Sequence, residues 1–155
     1  MTTGLIIGKF MPIHKGHRAL INFANSRCDR LIICVCTLDG EPIEGQLRYK
    51  WVKEIYKDFK NIEVKHITEK LHSKNLHIEK ATKLWTKYLI KNIDPIDIIF
   101  SSEEYGNYLA KYINAKHIQF DPNRKNNKIS ATMIRNNPLK YRHFIPDIVK
   151  PYFKL

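Results

Sequence analysis

Two histidines three residues apart flank a glycine in the string His14-Lys15-Gly16-His17. Residues three apart on a helix share a face. A helix start also leaves backbone N–H groups unpaired and favours an anion. Gly16 removes a side chain where another group must come close, and Pro12 stiffens the preceding turn. Together these residues describe a phosphate site with two imidazoles as added donors. The same string also reads as a pair of surface histidines, one of them a helix cap. A metal site is a third reading, but no third ligand stands at a recognisable spacing.

A second chemistry-bearing string is Ile129-Ser130-Ala131-Thr132-Met133-Ile134-Arg135. Ser130 suits a helix N-cap, beyond which the first turn has free backbone donors. Arg135 lies five positions on, and its planar fork suits phosphate oxygens. An ordinary capped helix with a solvated arginine would look the same, so this string does not decide the matter alone.

The elements that must position these residues follow from the apolar pattern. Leu5-Ile6-Ile7, ending at Gly8, reads as a short buried strand, and a helix follows His14 with Ala19, Leu20, Phe23 and Ala24 at helical spacing. Further strands are predicted over 31–35, 62–67, 96–100 and 117–120. Between them lie helices carrying Leu47, Trp51, Val52, Ile55 and Phe59, then 78–90, then Tyr105, Leu109 and Tyr112. A late helix begins at Ser130 and stops at Asn137-Pro138. Short apolar strands alternating with helices predict an α/β fold: a doubly wound, parallel five-stranded sheet covered on both faces. With strand order 3-2-1-4-5, the order reverses between the first and fourth strands. Ligands bind outside the carboxyl ends of strands at such a reversal. Gly8-Lys9-Phe10, Ser101-Ser102-Glu103-Glu104 and the loop carrying Arg124 and Ser130 should then border one crevice.

The chain has 155 residues, 43% of them hydrophobic and 27% charged. That is enough for one domain over 1–155 with a real core. No run of eighteen apolar residues exists to span a membrane, and the N-terminus lacks the pattern of a signal peptide, so a soluble, cytoplasmic protein is predicted. Cys34 and Cys36 lie two apart in an apolar run and read as buried thiols. The net charge of +12 suits phosphate-rich small molecules as well as nucleic acid. A nucleic-acid-binding module needs clustered Lys and Arg with aromatic residues between them. Here the basic residues are mostly scattered lysines, so no nucleic-acid partner is expected.

The two strings stand in order on one chain: Gly-x-Phe-x-Pro-x-His-x-Gly-His after the first strand, and Ile-Ser-x-Thr-x-x-Arg near the end. That pairing resembles the adenylyl- and cytidylyltransferase superfamily. Leu47-Arg48-Tyr49-Lys50-Trp51, Ser101-Ser102-Glu103-Glu104-Tyr105, Asp121-Pro122-Asn123-Arg124 and the aromatic stretch after Asn137 narrow the resemblance. Over nearly the whole chain it is similar to nicotinamide-mononucleotide adenylyltransferase domains of the bacterial NadR type.

The resemblance implies a Rossmann-like domain that moves the adenylyl group of ATP onto nicotinamide mononucleotide, giving NAD and pyrophosphate. A related transfer to phosphopantetheine or a polyol phosphate is the alternative. It implies that His14 and His17 contact the ATP phosphates, with Lys9 adding charge and Gly8, Phe10 and Gly16 shaping the site. Ile129, Ser130, Thr132 and Arg135 would bind the departing pyrophosphate, with Asn123 and Arg124 at the same end. Magnesium would be bound mainly through ATP. Trp85 either stacks on the pyridinium or fills the core, because the family's usual second tryptophan is Thr82 here. Asp39 and Arg48 border the mononucleotide or lie on the surface, and Glu103 contacts ligand or caps its helix. Such domains are often fused to a DNA-binding helix-turn-helix and a kinase. Neither is expected in 155 residues without a Gly-x-x-x-x-Gly-Lys-Ser/Thr loop. Relatives are commonly homo-oligomers.

Overall fold

A computed structural model describes residues 1–68, 78–103, 105–125 and 128–155. Five parallel strands, β1 (Thr3–Gly8), β2 (Arg30–Cys36), β3 (Ile62–Ile67), β4 (Ile98–Ser101) and β5 (Lys116–Gln119), form one sheet in the order β3-β2-β1-β4-β5. The helices are α1 (Lys15–Asn25), α2 (Gly45–Tyr56), α3 (Ile78–Asn92), α4 (Tyr105–Ile113) and α5 (Ala131–Asn136). This is the doubly wound arrangement that the alternation of elements predicts.

The strand residues sort onto two faces with period two. Ile6, Leu31, Ile33, Val35 and Phe100 pack with Leu20, Ile21 and Ala24 of α1, Trp51 and Val52 of α2 and Ile134 of α5. Leu5, Ile7, Ile32, Cys34, Cys36 and Ile99 pack with Leu89 of α3 and Leu109 and Ala110 of α4. Cys34 and Cys36 are therefore buried free thiols on one face, as their spacing predicts, and burial pushes Cys36 up to about 12. Among the described residues no helix is long and apolar enough to cross a membrane.

The fourth strand and the second helix are each shorter than expected. The fourth strand starts at Ile98 rather than Ile96. Asp97 stands at its entry, where its carboxylate accepts from the Thr3 N–H and its N–H donates to the Thr3 carbonyl. The second helix begins at Gly45 and ends at Tyr56, so Phe59 lies beyond it and is exposed. The chain ends in two 3-10 turns, Arg142–Phe144 and Lys150–Phe153. They bring Ile145 and Val149 into the core beside α2 and α5.

Candidate active site

The carboxyl ends of β1 and β4 sit side by side, with Gly4 of β1 in register with Ile98 of β4. A cavity of about 500 Å³ opens there. Gly8, Lys9, Phe10, His14, Gly16, His17, Glu103, Arg124, Ile129, Ser130, Thr132 and Arg135 all line it. The three segments expected to converge on one crevice do converge.

β1 ends in a sharp change of direction. Phe10 takes a left-handed φ of 49° while its side chain is buried, a conformation that packing must enforce on a non-glycine residue. Helix α1 then starts with His14 as its N-cap. The His14 Nδ1 accepts from the Gly16 N–H at 3.0 Å, and the His17 Nδ1 accepts from the His14 N–H at 3.2 Å. Each imidazole thus takes one half of a reciprocal capping box. A ring nitrogen that accepts carries no proton, so each neutral ring holds its proton on Nε2. The two rings lie 3.8 Å apart, and both Nε2–H groups are available to the cavity that the rings line.

Both rings are held neutral. Burial, with help from the Arg124 guanidinium, lowers His14 to about 4. His17 is pushed well below its ordinary value by burial first, then by His14 and Arg124. Gly16 is required by this geometry: a Cβ there would stand 2.8 Å from the His14 Cε1 and 3.0 Å from its Nδ1.

The opposite wall comes from the loop after β5 and from α5. Ser130 caps α5, its Oγ accepting from the Met133 N–H at 3.2 Å. Arg135 donates to the Met11 carbonyl at 2.6 Å and to the Thr132 hydroxyl at 3.3 Å. The planar fork therefore ties α5 to the loop after β1 and also faces the cavity. Arg124 donates to the Ile129 carbonyl at 2.9 Å and lies 3.6 Å from the Glu103 carboxylate. Glu103 also fixes the β4 end, since its carbonyl accepts from the Ser101 hydroxyl.

Several expected residues lie elsewhere. Arg48 does not border a ligand: its side chain is wholly buried. It donates to the carbonyls of Ile43, Lys9 and Cys36 and to the Glu41 carboxylate. Asp39 is exposed and Asn123 sits on an exposed turn, and neither is part of the cavity wall. Trp85 falls in α3, but its side chain lies outside the described residues, as does Glu104. Two contributors were not singled out as site residues in the sequence. Glu41 pairs with Lys9 at 3.1 Å and with Arg48 at 2.8 Å. Tyr105 lines the cavity and donates to the Ile7 carbonyl at 2.6 Å. Glu41 sits in an Asp-Gly-Glu-Pro loop with nothing to mark it. Tyr105, first in its helix after a strand end, carried a positional signal.

Residues 5–137 match the model of the cytidylyltransferase-like family, and the chain belongs to that family. The chain is 32% identical over 170 residues to the trifunctional NAD biosynthesis/regulator protein NadR of Escherichia coli, covering 98% of this chain and 40% of the relative. It is 23% identical to the phosphopantetheine adenylyltransferase of Mycoplasma mycoides, covering 87% of this chain and 95% of that one. The chain thus spans about 40% of the length of the NadR relatives it matches. Among solved structures, the NadR protein in complex with NAD and AMP-PNP superimposes with a TM-score of 0.69 at 22% identity, covering 96% of this chain and 46% of that chain. At that identity the likeness speaks for the fold alone.

Proposed function

We propose that the chain is a single nucleotidyltransferase domain that moves the adenylyl group of ATP onto nicotinamide mononucleotide, releasing pyrophosphate and giving NAD. The observation that carries this reading is the pair of neutral imidazoles with Nε2 donors held at one cavity edge. The cations Lys9, Arg124 and Arg135 line the same cavity. The choice of acceptor is supported by the similarity to NadR along nearly the whole chain.

The reaction asks little covalent work of the protein. The acceptor phosphate is already ionised at neutral pH, and one of its oxygens attacks the α-phosphorus as the bond to the β-phosphate oxygen breaks. No general base is needed. The protein holds the two phosphates in line and stabilises charge that builds on the triphosphate. The His14 and His17 Nε2–H groups donate to phosphate oxygens without a proton changing hands. Lys9 adds positive charge beside them. Ser130, Thr132, Arg124 and Arg135 hold the departing pyrophosphate. Among the described residues no group of three His, Cys, Asp or Glu side chains is placed to hold a metal. Magnesium would be carried mainly by triphosphate oxygens and water, where it would neutralise part of their charge.

Incubation with magnesium, ATP and nicotinamide mononucleotide should yield NAD and pyrophosphate in equal amounts. Parallel reactions with nicotinate mononucleotide and 4′-phosphopantetheine set the preference. Turnover with phosphopantetheine and none with either mononucleotide would end the NAD reading. Gly16→Ala is expected to lower turnover by about 100-fold, because the added methyl displaces the His14 ring and misplaces a donor. It should cost only about 1 kcal/mol of stability through the disturbed cap. Turnover and a melting curve on one preparation check both, and wild-type turnover would show that the ring needs no such clearance.

A further inference from the structure

Glu41 touches both a buried anchor, Arg48, and a cavity-lining cation, Lys9. Its two oxygens do different work. Oε1 accepts from the Leu38 N–H at 2.6 Å and from the Arg48 guanidinium at 2.8 Å. Oε2 faces the Lys9 ammonium at 3.1 Å. The Glu41 side chain is 8% exposed, and that of Lys9 is 47% exposed. Arg48 also holds the backbone from which Lys9 projects, through the Lys9 carbonyl at 2.8 Å. The side chain is therefore held at both ends: its backbone by a hydrogen bond from Arg48, and its tip by an ion pair with Glu41 that lacks hydrogen-bond geometry.

Taking the cavity as a triphosphate site, as proposed above, we infer that Glu41 is a positioning residue that presents the Lys9 ammonium to the phosphates. Arg48 offsets the Glu41 charge, so the carboxylate can orient a cation without cancelling the positive field of the site. A free lysine side chain gives up rotamer freedom when it is immobilised. A lysine already held on Glu41 gives up less on binding. An ammonium has three donors, so Lys9 can keep Glu41 and still reach a phosphate oxygen.

The opposing possibility is that Glu41 competes with the nucleotide for Lys9. The two predict opposite signs in a double-mutant cycle. Positioning requires that Lys9 lose value when Glu41 is neutralised, whereas competition requires that Lys9 gain value. Dissociation constants for magnesium–ATP are to be measured by calorimetry on wild type, Lys9→Ala, Glu41→Gln and the double variant. Lys9→Ala should weaken binding about tenfold in the wild-type background and about threefold in the Glu41→Gln background, a coupling well within the range of contacting residues. An equal or larger loss in the Glu41→Gln background overturns the inference. Melting curves come first. If Glu41→Gln does not fold, Glu41→Asp replaces it in the same cycle, since it keeps the charge opposite Arg48 while shortening the reach to Lys9. Wild-type binding of ATP without NAD formation removes the choice of acceptor and leaves the cycle to be read. No binding of ATP by the wild type overturns both.

Discussion

His17→Ala is expected to lower turnover by roughly 100- to 1,000-fold, the usual cost of removing one preorganised donor to developing charge, while the chain still folds. The side chain does two separable things. Its Nδ1 accepts from the His14 N–H within the cap, and its Nε2–H is the donor assigned to phosphate in the proposed reaction. His17→Asn keeps an acceptor near the Nδ1 position and loses the Nε2 donor. It should therefore hold the melting temperature closer to wild type than His17→Ala and lose turnover just as fully. Steady-state rates and melting curves on the two variants separate the roles. Near-normal turnover in His17→Asn would remove the donor from the mechanism. Neutral histidines also link stability to pH. Both titrate lower in the folded chain than the ordinary 6.5, so below that pH the unfolded chain binds more protons. Their contribution is complete above about 6.5 and is lost as pH falls toward about 4, the folded His14 value.

The fold was legible because buried parallel strands are short apolar runs, and here the runs are well separated. β3 falls at 62–67 as its pattern of alternation predicts, and the observed strand order is the Rossmann-like one that was expected. The site was legible for a different reason. His14, Gly16 and His17 act through one another within a single helix turn, so their geometry is written in their spacing. What the sequence hid depends on contacts between distant loops. Glu41 gains its role only when the loop after β2 meets Lys9 from the loop after β1. A histidine acting as a helix cap was visible as one of three readings, and the structure makes it compatible with the phosphate reading. The cap fixes the tautomer that a phosphate donor needs.

Arg48 is the instructive error, and it carries the second large expected effect. Its place beside the loop after the second strand suggested a ligand contact or a surface position. Yet Arg48 lies three, four and seven residues before Trp51, Val52 and Ile55, on the apolar stripe of its own helix, and that periodicity places it inside. Arg48→Met should therefore destabilise the chain by about 3–5 kcal/mol, because it removes the buried cation from the Glu41 carboxylate and leaves only the half-exposed Lys9 to offset its charge. For a chain of this size that is a fall of about 6–20 °C in melting temperature. Three carbonyls, of Lys9, Cys36 and Ile43, lose a donor at the same time. The double variant Arg48→Met/Glu41→Gln should recover part of the loss, since it removes the carboxylate charge as well as the arginine. The carboxylate adds a signature of its own. Burial raises its pKa, but the Leu38 N–H, Lys9 and Arg48 outweigh that and hold it below the usual carboxylate range. Glu41 accordingly stabilises the chain at neutral pH and ceases to do so as acid protonates it, a slope that the double variant should lack. An Arg48 that instead bound the acceptor would give the reverse pattern: Arg48→Met would melt like wild type and show a raised KM for the mononucleotide. Denaturant unfolding and steady-state kinetics on the same two variants decide between a residue that holds the site together and one that touches what enters it.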